Sequence, residues 1–351
     1  MKRQRIWFDS LAALIVFCST ATGGYCASPD DSPECGGIFS ITDENDLWAN
    51  PFGPHQDRHY THGIKLAYIG GDNAMTNLTT RLNRFFWWGH QPWPGNLGFV
   101  AGQDMYTPED IRDPNPILTD RPYAGWLYAG LVYERHNERS AHFATMESFE
   151  VNFGVVGPDS LADDTQTLIH RWRCPDDLPE GWKNQIRNEP GLVLKYARLW
   201  RYSLNDVTAR FVDLIPRAGF EAGNVATFGT AGVAARAGYN LPPDFGPQII
   251  DSPASVNGGS NQHTPPFSCY ALAGVDERYV AHDITLDGNT FCSSQSVDKY
   301  NFVNDLSWGF AVGLGKHIQL SYTQITRSKE FRGQQGKDRF GSINLKIEFA
   351  L

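Results

Sequence analysis

The chain is short of charge: Asp, Glu, Lys and Arg make up 20% of its 351 residues, against about a quarter in an average soluble domain. Basic residues are the scarcer kind, with Lys+Arg 30 against Asp+Glu 39 and a formal net charge of −9. That sign of field argues against nucleic acid as a partner. Long apolar runs are missing too. After the first thirty positions no stretch reaches the roughly 20 apolar residues that a membrane helix needs, so a helical membrane protein is excluded. Methionine is rare, at 4, and cysteine numbers 6. Aromatics are plentiful, with Trp 10, Tyr 14 and Phe 21, and a chain this aromatic buries too much surface to be disordered. Gly 34 and the low charge favour one large all-β body over several small soluble domains.

The start reads as an address. A basic opening, Met1 to Arg5, precedes the apolar run LAALIVF at 11–17 and small residues to Gly24. This is the layout of a secretory signal peptide, here residues 1–27. Export exposes the remaining cysteines to an oxidising compartment. Cys269 and Cys292 flank a turn-containing excursion and form the expected pair, with Cys35 and Cys174 left without an assigned partner.

The body alternates with a period of two. In residues 342–349, Ile343, Leu345, Ile347 and Phe349 alternate with Ser342, Asn344, Lys346 and Glu348. Alternation at this period places the two sets on opposite faces of a strand. Phe149, Val151, Phe153 and Val155 do the same against Ser148, Glu150, Asn152 and Gly154, as do Leu306, Trp308, Phe310, Val312 and Leu314 against small and polar residues. A soluble sandwich also alternates. Two features favour a membrane barrel: the polar faces mix Lys, Glu and Asn with Gly and Ala, as a lumen does, and Trp126, Tyr128, Tyr196, Tyr322 and Phe349 lie near strand ends, as interfacial girdles do. The pattern predicts an all-β, twelve-stranded antiparallel transmembrane barrel over residues 28–351, in the outer membrane of a diderm bacterium. One segment, about 158–189, breaks the rhythm. Ser160 or Asp159 offers a cap, Asp163 and Asp164 fill the first turn, and Gln166 and His170 share a helix face at i, i+4. It reads as a short helical insert at the outer rim.

Polar residues gather near the strand ends: Asn45-Asp46, Asp57 to Gly63, Gly102 to Pro108, and Asp120 to Gly125. With a periplasmic N-terminus, strand counting brings Asn45, Asp46, Thr61, Gln166 and His170 to the same rim. Taken singly, Asp57, Arg58, Asp120 and Arg121 read as a structural ion-pair network. His55, His59 and His62 lack the spacing of a zinc site and read as surface histidines.

The stretches Asn45-Asp46, DRHYTHG (57–63), GQDMYTPED (102–110), DRPYAGWLYAGL (120–131) and VVGPDSLADDTQTLIHRW (155–172) resemble the lipid A 3′-O-deacylase family of outer-membrane enzymes. The resemblance runs from about residue 37 to the end. It implies a twelve-stranded barrel that removes the 3′-linked acyloxyacyl chain of lipid A, with calcium as cofactor and a site between the barrel wall and the lipid of the outer leaflet. The family's site residues fall on Asn45, Asp46, Thr61, Gln166 and His170. Its acidic residue after the histidine is a Glu, where this chain offers Asp176 or Asp177. Its lysine after the third strand has no clean match, and Arg112 is the nearest cation. The residue types suit ester hydrolysis. A histidine titrating near neutrality serves as general base on a water, and an aspartate at 176 or 177 would orient its second nitrogen. Asn45, Asp46 and Thr61 carry the oxygen ligands that calcium prefers. No G-x-S-x-G occurs, so water attack is the first choice over a serine nucleophile. The competing functions are an outer-membrane phospholipase, which needs a serine beside His170, and a non-enzymatic barrel acting as a pore or adhesin.

Overall fold

The computed structural model describes residues 36–49, 57–70, 93, 95–140, 142–204, 211–250, 265–315 and 317–350. The expected signal peptide and Cys35 and His55 lie outside these residues. Twelve strands run in chain order: β1 Gly36–Asn45, β2 His59–Gly70, β3 Gly95–Thr107, β4 Ala124–Ser140, β5 Phe143–Val156, β6 Glu189–Ser203, β7 Val212–Gly223, β8 Ala226–Tyr239, β9 Phe267–Asp283, β10 Phe302–Leu314, β11 Ile318–Arg327 and β12 Asp338–Ala350. Each pairs antiparallel with its sequence neighbours, and β1 pairs with β12 from Gly36↔Ala350 to Asn45↔Gly341, so the sheet closes. Closure removes every sheet edge, which a structure in lipid requires. Short helices interrupt the pattern: α1 Asp46–Ala49, α2 Ala162–Arg173 and α3 Ile284–Asp287, with 3₁₀ turns at Pro158–Ser160 and Trp182–Asn184.

The alternation resolves into an inside-out protein. On β10, Leu306, Trp308, Phe310 and Leu314 are each at least half exposed, while Ser307 and Asp305 are buried. On β5, Phe153 faces out and Ser148, Glu150 and Asn152 face in. The interior is held by ion pairs: Lys65 Nζ with Glu150 at 3.1 Å, Arg327 with Asp305 at 2.9 Å, and Arg278 with the same aspartate. These charges sit in pairs because an unpaired charge so buried would be strongly destabilising.

The girdle differs in its members from the expected one. Trp126 and Tyr128 point into the lumen and are buried, because they occupy the even, inward positions of β4. Exposed Tyr202, Phe211, Tyr239 and Phe267 instead line the periplasmic end from β6 to β9, and Tyr279, Tyr300 and Phe302 the outer end at β9 and β10. The expected disulfide is absent, for Cys269 and Cys292 are both free. Cys269 sits at the periplasmic end of β9, and Cys292 follows its outer end. About fourteen strand residues at ~3.3 Å each separate the two levels, far beyond the ~7 Å between Cα atoms that a disulfide spans.

The periplasmic connection after β8 does not stay outside. It turns at Asn240, in the left-handed region at φ 50°, and residues 241–250 enter the lumen. Leu241, Asp244, Phe245, Gln248 and Ile250 are all buried there.

Candidate active site

The rim helix lies against the outside of the barrel, not over its mouth. Inward positions of β3 are even-numbered, so Gln103, Met105 and Thr107 project outward, yet all three are buried. The segment from 158 to 186 covers Gln103 and Met105, and the Thr107 hydroxyl meets that of Thr61. Gln103 Nε2 donates to the Ser160 carbonyl at 2.7 Å, and Met105 packs with Tyr123, Ala162 and Trp182. Gly125 makes the approach feasible. A Cβ there would lie 2.1 Å from Ser160 Oγ and 2.4 Å from the Ala162 Cβ, so any side chain would lift the helix off the wall.

α2 presents two faces. Gln166 and His170, one turn apart, are buried toward the wall, while Leu168 and Trp172 are 70% and 67% exposed. Gln166 Oε1 accepts from Trp182 Nε1 at 2.7 Å, and its Nε2 is a buried donor with no partner among the described residues. His170 Nδ1 meets the Asp177 carbonyl at 2.5 Å, and its Nε2 lies 2.9 Å from Asp57 Oδ2. No serine hydroxyl is among the described groups bonded to His170. Burial opposes charge on the ring, but Asp57 and Asp177 outweigh it and raise the His170 pKa above its ordinary value.

Asp57 brings the opposite side of the site with it. It begins the run into β2, and β2 pairs with β1 so that His62 faces Asn45. Asn45 Oδ1 accepts from the Leu47 N–H at 2.7 Å, capping the one-turn helix that holds Asp46. Asp46 Oδ2 accepts from the Arg58 N–H at 3.1 Å. Burial and the adjacent negative charge of Asp57 push the Asp46 pKa well above the usual carboxylate range. Thr61 sits on a bulge, where the β2–β3 register shifts between Tyr60 and His62, and its Oγ1 is 2.7 Å from Thr107 Oγ1. Bulges beside active sites re-aim side chains in this way.

The sequence-derived set is therefore gathered on one outer wall, with three differences. Asp177 touches His170 through its backbone carbonyl, while its carboxylate stands 3.6 Å from Arg112, and Asp176 is exposed. The carboxylate at the ring is Asp57, which the sequence placed in a structural network. The remaining members of that network do serve structure: Arg121 donates to Thr285 and Glu330, Asp120 caps the Glu109 and Arg121 N–H groups, and Arg58 pairs with Glu109. His59 and His62 are not surface residues. His59 is fully buried between Asp338 and Asp120 with a left-handed backbone at φ 59°, and His62 binds Asp43 at 3.1 Å. Trp182, which fixes Gln166, carries no local signal beyond its indole.

Whether the corner suits a calcium ion rests on its donors. Asp46 and Asp57 are neighbouring carboxylates, and after burial the charge of Asp57 is the next cause that raises Asp46; a hard cation relieves that arrangement. The Asn45 and Thr61 oxygens keep lone pairs free. The donors present fit such an ion, although among the described residues no three His, Cys, Asp or Glu side chains form a ready-made cluster.

Fold and site together define a class: an outer-membrane barrel that carries a polar, histidine-centred site on its lipid-facing wall. A family model described as outer membrane protein LpxR matches residues 11–349, and the chain belongs to that family. Its place is the outer membrane of a Gram-negative bacterium. Among solved structures, LpxR from Salmonella typhimurium is similar at a TM-score of 0.69 and 19% identity, covering 88% of this chain and 99% of that one. This likeness supports the barrel. The KdgM porin (TM-score 0.37, 7% identity, 90% of this chain and 99% of that) and the β domain of the Bordetella autotransporter BrkA (0.42, 9%, 91% and 100%) are looser likenesses without bearing on function. No curated protein matches the chain.

Proposed function

We propose that the protein is a lipid A 3′-O-deacylase that hydrolyses the ester of the 3′-linked acyloxyacyl chain by water attack. The observation that carries this reading is the position of His170 and Gln166. They are pressed against the outer wall beside Asn45, Asp46 and Asp57, at the rim where outer-leaflet lipid reaches the barrel. A soluble substrate would have no reason to meet chemistry there.

The roles follow from the contacts. The Nδ1–H of His170 donates to the Asp177 carbonyl, which leaves Nε2 as the nitrogen that accepts a proton from water. Asp57 stands beside Nε2 as counter-charge to the imidazolium that results. Gln166, oriented by Trp182, has a free N–H for a substrate or water oxygen. Asp46, with Asn45, Thr61 and Asp57, would hold the calcium ion. When bound, that ion would supply positive charge for the ester oxygen as it becomes anionic. Exposed Leu168 and Trp172 offer apolar surface to acyl chains beside the site. Among the described groups bonded to His170 there is no serine hydroxyl, so a serine-dependent phospholipase finds no support there.

Expression in a host with intact lipid A tests the proposal. The lipid A mass should fall by one acyloxyacyl unit. His170→Ala should lower the rate by about 10²–10⁴-fold, the usual worth of a general base, and a calcium chelator should suppress the shift. An undiminished shift with His170→Ala would sink the mechanism.

A further inference from the structure

The segment 241–250 climbs the lumen from the periplasmic end to the back of the site. At its foot, Asp244 pairs with Arg236, and its carbonyl accepts from Arg236 Nη2 at 2.7 Å and Arg201 Nη1 at 3.1 Å. Phe245 packs in an apolar cluster with Met146, Leu199 and Ile215. Higher up, Ser40 Oγ donates to Gln248 Oε1 at 3.4 Å, and Ile249 packs against Tyr60, Ile325 and Phe340. At the tip, the Ile250 N–H donates to Glu44 Oε1 at 2.8 Å. The other oxygen of Glu44 accepts from Tyr60 Oη at 3.0 Å. Gly63 leaves room for that phenol, since a Cβ there would lie 2.1 Å from Oη.

Glu44 is fully buried and is the last inward residue of β1. Successive strand residues point to opposite faces. The side chain that the strap grips inside the barrel therefore precedes, by one residue, the side chain that opens the site outside it. Asn45 then caps the helical turn carrying Asp46. We propose that Glu44 is a positioning residue and that the strap tip, through the Ile250 N–H, holds the Asn45–Asp46 corner in working geometry from within the lumen. This rests on the deacylase reading for its kinetic consequence, and on geometry alone for its structural one.

Three variants of the full-length protein test it: Glu44→Ala, Ile250→Pro, which removes the N–H, and the double variant. Folded barrels are first verified by their heat-modifiable gel mobility. Each single change should lower kcat for acyl release about ten- to hundredfold with KM little altered, the scale of a small misplacement of reacting groups. The double variant should be no worse than the worse single, because both break one contact. Glu44→Gln keeps an acceptor for the Ile250 N–H and replaces the acceptor facing Tyr60 with an amide N–H that the phenol oxygen can accept from, and should restore most of kcat. Ile250→Val should behave as wild type. Additive losses, or losses in barrel stability with kcat intact, would mean the strap only fills space and would overturn the proposal. If wild-type protein releases no acyl chain, the deacylase reading fails by itself. Hydrogen exchange then decides the strap separately: Ile250→Pro should speed exchange across residues 44–49 and leave 302–314 unchanged, and equal exchange at 44–49 would refute it.

Discussion

At the scale of single residues, the His170–Asp57 contact sets the expected pH behaviour. The His170 pKa is raised when folded, so the ion pair contributes stability that is complete below the ordinary histidine value and fades as pH rises through the folded one. The base, however, must be neutral. Activity should therefore be low where the pair is strongest and rise only at a pH above the ordinary histidine range. In Asp57→Asn the counter-charge is gone, and the rising limb of kcat/KM should move to lower pH. The maximal rate should also fall, because the imidazolium loses its partner. A pH–rate profile of both proteins checks this, and an unmoved limb would assign the raised value to something other than Asp57. The same contact marks what residue-level reading could reach. His170, Gln166, Asn45, Asp46 and Thr61 were legible because their order along the chain carries a family pattern. Asp57 was not, because an aspartate before Arg58 looks like any rim ion pair until the β1–β2 hairpin and the helix from 162 to 173 close on each other from opposite sides.

At the scale of elements, period-two alternation anticipates the count of twelve strands and the two faces of β5, β10 and β12, since one face meets lipid and the other a polar lumen. What alternation does not encode is where a connection goes. The segment LPPDFGPQII at 241–250 reads as an ordinary Pro-rich loop, and its path up the lumen depends on Arg236, Arg201 and Glu44 from three separate strands. The rim helix is similar. Its existence follows from the i, i+4 spacing and the acidic first turn. Leu161, in the left-handed region at φ 60°, stands at the N-cap without a side-chain cap, and the expected Asp159 and Ser160 lie in the 3₁₀ turn before it. Its seat on the outer wall depends on Gly125. Gly125→Val tests that seat. The added side chain collides with Ser160 and Ala162, so the helix should shift and carry His170 away from Asp57. Acyl release should drop by about 10²-fold or more, while unfolding of the barrel in urea changes little, as β4 keeps its register with β3 and β5. Retained activity would show that the helix seats itself by other contacts.

At the scale of the whole molecule, a mean hydropathy of −0.38 describes a membrane protein because averaging mixes two solvents. Apolar side chains are spent on the outside, polar ones on the inside, and long rims add more polarity. Stability in such a body should depend on depth and direction rather than burial. On β10, Trp308 lies midway between the ends and Phe302 at the outer rim, both pointing outward, at 50% and 66% exposure. A burial argument would rank both as harmless sites for a charge. The bilayer reverses this for one of them. Trp308→Arg should destabilise the folded barrel by about 2–4 kcal/mol and Phe302→Arg by about 0–1 kcal/mol. Equilibrium unfolding from lipid vesicles measures the difference directly. Equal costs at the two positions would mean that Trp308 is not at the level of the hydrocarbon, and the membrane would have to be drawn elsewhere on the barrel, away from the wall on which His170 and Asp57 meet.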